Sequence, residues 1–334
     1  MRPRLLSLCL LAIGALILYG CGGDGAGGST GTAGTGGSTG DAGASGNAGT
    51  SGNAGTSGGG TSGNAGTTGA AGRGGATGTA GATGRGGTTG STGTGGTPAT
   101  SSLCTWPTTS TNVMVNATIT ITGVYDGTMR RFVGTGPLGS GGQNENQDPI
   151  FHLVEGATLQ NVILGNPAAD GVHCDGNCTL KNVWWEDVGE DAATLKGTST
   201  SQVMTIDGGG AQKASDKIFQ HNGPGTMIIR NFCAQDFGKL YRSCGNCTTQ
   251  YARHVQLQNV MVVPGSSTSA LVGVNSNYND TATFGSILVK AATNSITICQ
   301  RYTGNNTGAE PPKNGAGADG TVCMYSASDI SWMP

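Results

Sequence analysis

The sequence TLQNVIL, residues 158–164, returns as TLKNVWW at residues 179–185. More degenerate copies follow as MTIDGGG (204–210), IIRNFCA (228–234) and LQNVMVV (257–263). Successive copies therefore lie about 21 to 28 residues apart. Such a period is typical of solenoids, in which each repeat stacks on the one before it.

The repeated unit predicts strands and turns without helices. Short runs of Val, Ile and Thr alternate with Gly, Asn and Asp, and no long stretch keeps a helical period. Coils of parallel strands stack about 4.8 Å apart, so Asn161, Asn182, Asn231 and Asn259 can each stack on the next. We therefore predict an all-β fold, a right-handed parallel β-helix. The alternative, an antiparallel sandwich, is disfavoured because hairpin sheets need no recurring asparagine.

The composition divides the chain into a low-complexity part and a folded domain. Most of the 63 glycines lie before residue 100, among Ser, Thr and Ala. Residues 21–100 lack the apolar surface needed to offset the entropy of ordering, which predicts a disordered tether. Residues 101–334 are long enough for one sizeable core and form the predicted β-helix domain. The net charge of −2 gives no basic field for nucleic acid.

The N-terminal segment, residues 1–20, resembles an export signal. Arg2 and Arg4 precede an apolar run that ends in LYGC, residues 18–21. This pattern is typical of a bacterial lipoprotein signal, with lipid on Cys21 as the membrane anchor; an ordinary cleaved secretory signal is the alternative. Both interpretations predict an exported protein: a cell-surface or outer-membrane lipoprotein in the first case, a secreted protein in the second.

Eight cysteines remain after Cys9 and Cys21, and an even number in an exported chain favours disulfides. CDGNC (174–178) and CGNC (244–247) can each close a small local loop. A zinc site that includes His173 is the alternative, which an oxidising compartment disfavours.

Charged residues recur at the spacing of one coil. The step from Asp170 to Asp191 equals the step from Lys196 to Lys217, and Lys239 follows after nearly the same step. Stacked like charges repel, so each group favours a ligand of opposite charge. Carboxylates favour a hard cation such as Ca²⁺, and clustered Lys and Arg favour an anion. These spacings predict a groove for a polyanion whose carboxylates also touch a metal; accidental spacing of solvated surface charges is the alternative.

Three blocks resemble polysaccharide lyase family 3, the compact pectate lyases: residues 170–197, 213–232 and 236–247. The similarity extends from about residue 104 to the C-terminus. It implies a right-handed parallel β-helix that cleaves de-esterified polygalacturonate by Ca²⁺-dependent β-elimination. Relative to the family pattern, the signal and tether are additions, and residues 299–323 look like a terminal loop closed by Cys299 and Cys323.

The resemblance also implies roles for individual residues. Asp170, Glu190 and Asp191 fall where the family binds Ca²⁺. The basic cleft residues of the family correspond to Lys196, Lys217, Lys239 and Arg242. We expect Lys217 to be the base, with a pKa lowered by neighbouring cations, and Lys196 is the alternative base. Arg242 would clamp the substrate carboxylate, Lys196 and Lys239 would bind substrate, and Asp216 would orient Lys217.

Two other functions remain possible on the same fold. One is a polygalacturonase-type hydrolase, which needs an acid and a base carboxylate at a set separation. The other is a non-catalytic pectin-binding surface protein, which would not need a base. We expect a monomer whose partner is polygalacturonate.

Overall fold

The computed structural model of the protein describes residues 102–334. The predicted signal (1–20), the lipid-attachment Cys21 and the tether (21–100) lie outside the described residues. In the described part, no helix is both long enough and apolar enough to cross a membrane.

Seventeen strands make up the sheet of the described residues. Strands β1 to β6 span Asn112–Val115, Ile119–Ile121, Val124–Gly134, Phe151–Leu153, Ala157–Leu164 and Val172–Cys174. Strands β7 to β12 span Cys178–Trp185, Ala193–Leu195, Val203–His221, Gly225–Ser243, Arg253–Val263 and Ala270–Asn275. Strands β13 to β17 span Thr281–Val289, Thr297–Tyr302, Lys313–Ala316, Cys323–Met324 and Ile330–Trp332. Short 3₁₀ helices span Gly136–Leu138, Ser276–Tyr278 and Ala327–Asp329.

The strands pair in parallel along two rows, as the repeat predicted. One row runs β1, β3, β5, β7, β9, β10, β11 and β13. The other runs β2, β4, β6, β8, β9, β10, β12 and β14. Strands β9 and β10 are each 19 residues long and belong to both rows. The predicted parallel β-helix is confirmed.

The interior is a set of apolar stacks along the coils. Leu159, Leu180, Ile206, Ile229 and Leu257 follow one another in strand register, and all are buried. Each repeat thus supplies the same inward position, and burying a side chain of this size contributes about 1.5–3 kcal/mol. This stacking explains why the hydrophobic copies recur along the sequence.

The recurring asparagines stack at one turn as two pairs, and the predicted ladder is interrupted at β9, where Gly208 occupies the position between Asn182 and Asn231. Asn161, Asn182, Asn231 and Asn259 all adopt left-handed backbone, with φ between 52° and 55°. Asn182 Nδ2 donates to Asn161 Oδ1 at 2.9 Å, and Asn259 Nδ2 donates to Asn231 Oδ1 at 2.9 Å. Asparagine tolerates this conformation better than other residues with a Cβ, so one residue type supplies both the turn and the hydrogen bond.

Replacing Asn182 with alanine should destabilise the fold by about 2–3 kcal/mol, because alanine is strained in left-handed backbone and loses two side-chain hydrogen bonds. The bonds are those to Asn161 Oδ1 and from Trp184 Nε1, and a weaker contact of Nδ2 with Met129 Sδ at 3.4 Å is lost with them. Urea unfolding measures the loss. Asn182→Gly loses the same bonds without the strain and should be less destabilised; equal stability of the alanine variant and the parent would contradict the ladder's importance.

Four disulfides tie the described chain: Cys104–Cys233, Cys174–Cys178, Cys244–Cys247 and Cys299–Cys323. The two short loops and the C-terminal loop are closed as the sequence indicated. Because Cys174 is consumed in a disulfide, the alternative of a zinc site beside His173 is wrong.

Candidate active site

Three carboxylates from successive coils meet at one place on the second strand row. Asp170 precedes β6, and Glu190 and Asp191 precede β8, whose Ala193 is in register with Val172 of β6. All three are buried, with 5%, 3% and 2% of their surfaces exposed. One ligand atom from each lies within 4.8 Å of the others, an arrangement that can hold a metal ion.

Lys217 reaches the same cluster from strand β9. Its Nζ lies 3.4 Å from Glu190 Oε1 and 3.8 Å from Asp191 Oδ1. It also lies 3.3 Å from Asp216 Oδ2 and 3.8 Å from Glu145 Oε1. The strand register explains the contact, because Ala193 aligns with Phe219 and position 217 therefore lies beside position 191.

The charges that surround Lys217 are the opposite of those expected. Burial alone would lower its pKa, but the attraction of Asp191, Glu190, Asp216 and Glu145 outweighs burial and raises the pKa. The expectation that neighbouring cations lower the pKa of Lys217 is therefore wrong for the metal-free protein. Its ammonium is held charged by the same carboxylates that can hold a metal.

Lys239 and Lys217 share one carboxylate. The two lysines are in register on β10 and β9, and Asp216 lies between their ammonium groups. Lys239 Nζ is 3.1 Å from Asp216 Oδ1. Burial would raise the pKa of Asp216, yet Lys217 and Lys239 hold it below its ordinary value. The expected contact between Asp216 and Lys217 is present, although Asp216 orients both lysines.

Lys196 does not stack on Lys217. Leu195 pairs with His221, so the register places Lys196 beside Asn222 rather than beside Lys217. A turn before β9 lengthens this coil, and Gln202 holds it by accepting the backbone N–H groups of Thr198 and Ser199. Lys196 is exposed, and its charge opposes part of the rise that burial causes in the pKa of Asp170.

Arg242 lies on β10, three residues after Lys239, and is 8% exposed. Its guanidinium carbon is 4.0 Å from the centre of the Tyr302 ring. Its Nη1 donates to Asn275 Oδ1 at 3.0 Å. The sequence singled out Arg242 but not Asn275 or Tyr302, whose coils lie farther along the chain and differ in length.

Two further residues at the carboxylates were missed or assigned otherwise. His173 Nε2 is 2.6 Å from Asp170 Oδ2, and burial lowers the pKa of this histidine to about 3. The hydrogen bond between His173 and Asp170 fixes the orientation of that carboxyl group. Glu145 comes from the loop between β3 and β4, and Gln143 fastens this loop by donating to Gly189 O at 2.6 Å. The sequence carries no repeat in this loop that could have indicated the contact.

The carboxylates fit a hard divalent cation. Burial raises the pKa of Asp170 to about 7, and burial together with Glu190 and Asp170 raises that of Asp191. Asp170 Oδ1 and Asp191 Oδ1 are both buried without a hydrogen-bond partner. Buried, crowded carboxylate oxygens that lack donors are the ligands that Ca²⁺ prefers.

An open cleft of about 590 Å³ lies next to the carboxylates on the side of the first coils. Thr120, His152 and His173 line its floor and are in register on β2, β4 and β6. His173 joins this cleft to Asp170. A chain of polar positions thus runs along the second strand row into the charged cluster.

Comparison with known proteins agrees with this fold. A family model described as pectate lyase matches residues 103–308. The chain belongs to this pectate lyase family. Pectate lyases are polysaccharide lyases, so the predicted class of enzyme is confirmed, and the resemblance noted in the three sequence blocks is borne out.

Individual pectate lyases match over most of their own lengths. Pectate lyase E of Emericella nidulans is 45% identical over 222 residues, covering 66% of this chain and 84% of that protein. The crystal structure of the catalytic domain of pectate lyase PelI from Erwinia chrysanthemi shares 32% identity, with a TM-score of 0.58. That comparison covers 67% of this chain and 100% of the domain. PelI in complex with tetragalacturonic acid matches at 31% identity, with a TM-score of 0.55.

Proposed function

We propose that the chain cleaves de-esterified polygalacturonate by Ca²⁺-dependent β-elimination, with Lys217 as the base. The observation that carries the proposal is the contact of Lys217 with the buried carboxylates Glu190 and Asp191. This contact would place a metal-ligand set and the base side by side in one site. PelI, a relative of this chain, was crystallised with tetragalacturonic acid, which supports a galacturonate substrate.

Asp170, Glu190 and Asp191 would hold the calcium ion. When bound, Ca²⁺ would offset the charges of Asp191 and Glu190, two of the four carboxylates that raise the pKa of Lys217, and would withdraw electrons from the uronate carboxylate. The metal-free protein therefore keeps Lys217 charged and unable to accept a proton. Metal binding and activation of the base are coupled through the same carboxylates.

In the reaction, Lys217 Nζ takes the proton from C5 of the uronate whose C4 carries the glycosidic oxygen, and the sugar on the other side of that oxygen is the leaving group. The electron pair released from the C5–H bond forms the C4–C5 double bond, while the bond from C4 to the glycosidic oxygen breaks. That oxygen takes a proton from solvent. Arg242 would neutralise the uronate carboxylate that carries the developing charge, and Lys239 would bind a second carboxylate. The product is a 4,5-unsaturated oligogalacturonide.

The two alternative functions fit the site less well. Hydrolysis with inversion separates its two carboxylates by about 6.5–9.5 Å, with a water between them. Here the carboxylate oxygens lie within 4.8 Å of one another and surround an ammonium group. A protein that only bound pectin would need the cations but not a buried lysine against metal ligands.

The test is an assay of polygalacturonate with Ca²⁺ and then with EDTA. We expect ultraviolet absorbance from the new C4–C5 double bond in the presence of Ca²⁺, and its disappearance with the chelator. New reducing ends without unsaturated product would identify a hydrolase. Binding of polygalacturonate without either product would identify a binding protein.

Calcium affinity should rise with pH. The folded-state pKa of Asp170, about 7, lies above its ordinary value of 3.8, so protons compete with the metal below pH 7. Protonation of this single group should weaken calcium binding about 100-fold between pH 8 and pH 5, as measured by calorimetry. A calcium affinity that does not change with pH would contradict the raised pKa of Asp170.

The raised pKa of Asp170 also affects the stability of the metal-free protein. Because folding favours the protonated form of this carboxyl group, the free energy of unfolding should fall as pH rises from about 4 to 7.

The chain is also proposed to be exported. Four disulfides among the described residues support an oxidising compartment. A monomeric state remains a prediction.

A further inference from the structure

Arg242 is a buried cation with no carboxylate within ion-pair distance among residues 102–334, and the charges of Asp280 and Glu310 act on it only from farther away. The ion pairs found among residues 102–334 include none with Arg242, although only 8% of its surface is exposed. In the same part of the chain it donates one hydrogen bond, to Asn275 Oδ1. An arginine offers five N–H donors, and burial lowers the pKa of this one. Its charge and remaining donors are therefore available to an anion.

The side chain of Arg242 occupies space that is open because residue 273 is a glycine. Gly273 is the register partner of Arg242 on the next coil. A Cβ on Gly273 would stand 2.9 Å from Arg242 Cδ and 3.2 Å from Tyr302 Cε2. Glycine thus lets the arginine lie across this coil and reach the Tyr302 ring on the coil beyond. A desolvated cation over an aromatic face is stabilised without losing its charge.

Asn275 is held as firmly as the arginine that it contacts. Its Nδ2 donates to Cys244 O at 2.9 Å, which leaves Oδ1 facing Arg242. Its backbone N–H donates to Asp280 Oδ2 at 2.7 Å. Asp280 also accepts the Ser243 hydroxyl and the backbone N–H of Arg253. This buried network places a neutral acceptor at a position where an aspartate would neutralise the guanidinium.

We propose that Asn275 and Tyr302 are positioning residues that hold Arg242 in place as an unneutralised cation for the uronate carboxylate. The proposal rests on the proposed function, in which Arg242 binds that carboxylate. Asn275 supplies orientation through a neutral oxygen, and Tyr302 supplies a surface that leaves the N–H groups free. Neither residue touches the carboxylates that would hold calcium.

The variants Asn275→Asp and Tyr302→Leu test the proposal. An aspartate would pair with Arg242, and leucine would remove the ring face. Each should lower kcat/KM on polygalacturonate about 30-fold, and each should weaken tetragalacturonic acid binding similarly when placed in a Lys217→Ala background. Calcium affinity, read from the calcium-dependent rise in unfolding temperature, should stay at the parent value. Tyr302→Phe keeps the aromatic ring and, unlike Tyr302→Leu, should retain most of the parent's kcat/KM.

A matched control separates positioning from stability. Tyr325 packs edge-on against Phe284, with ring centres 5.1 Å apart, so Tyr325→Leu loses a comparable aromatic contact. It should lower the unfolding temperature while kcat/KM stays within about threefold of the parent. The proposal is overturned if Tyr302→Leu is folded and behaves like this control. If Asn275→Asp does not fold, the Tyr302 pair decides alone. If the parent forms no unsaturated product, the proposed function fails instead.

Discussion

Lys217→Ala is expected to lower turnover on polygalacturonate by about 10²–10⁴-fold with calcium saturating, because the proton acceptor is lost. Unsaturated product formation measures the effect. Lys290→Ala, which removes an exposed lysine, should leave turnover at the parent value and serves as the control. The size of the loss distinguishes a base from a residue that only binds substrate, whose removal would chiefly raise KM.

Loss of a buried cation among carboxylates also affects folding. Lys217 lies within 3.8 Å of four carboxylates, so alanine removes a positive charge from beside the buried Glu190 and Asp191, whereas Asp216 keeps Lys239. Lys217→Arg keeps the positive charge but cannot accept a proton, and it should be as inactive as alanine while staying better folded. Near-parent turnover in either variant would overturn the assignment. If Lys196→Ala alone abolishes turnover, Lys196 is the base.

Asp191→Asn is expected to weaken calcium binding by about 100-fold or more, and with it activity at moderate calcium. The same change should stabilise the metal-free protein above neutral pH. Burial and the neighbouring carboxylates raise the pKa of Asp191, so its ionised form opposes folding there. Calorimetric titration measures the first effect, and thermal unfolding with EDTA measures the second.

Weaker calcium binding together with higher stability of the metal-free protein would indicate that Asp191 serves metal binding and not folding. Asp175→Asn is the matched control, because Asp175 is half exposed and contacts His152 instead of the cluster. It should change neither calcium affinity nor activity. Parent-like calcium affinity in Asp191→Asn would contradict the proposed metal site.

The sequence predicted the β-helix because the coil places the same residue types at the same positions. Asn161 and Asn182 are separated by one uninterrupted coil, and Asp170 and Asp191 by an equal step. Stacking could therefore be predicted for both pairs. The next coil is longer than this step. Leu195 aligns with His221, so the one-coil spacing that relates Asp170 to Asp191 no longer relates Lys196 to Lys217. The additional turn residues are polar and carry no register signal, so the predicted stack of Lys196 on Lys217 is wrong.

Electrostatics at Lys217 could not be predicted for a related reason. Once the coil is longer, Lys217 lies beside Asp191, and an anionic surrounding replaces the cationic one. The contacts of Asn275 and Tyr302 with Arg242 could not be predicted from the sequence, because they depend on the space left by the absent side chain of Gly273. A glycine among 63 glycines gives no sign of such a role.

The Cys104–Cys233 bond joins the start of the described chain to the middle of strand β10, 129 residues later. A pull on the chain from before residue 104 therefore does not act first on β1. The load passes through the disulfide into β10, the strand that carries Lys239 and Arg242 and pairs in parallel with three neighbours. The hydrogen bonds between β1 and β3 therefore do not carry the first load. An enzyme attached by its N-terminus to a surface would resist mechanical unravelling at its most extensively paired strand.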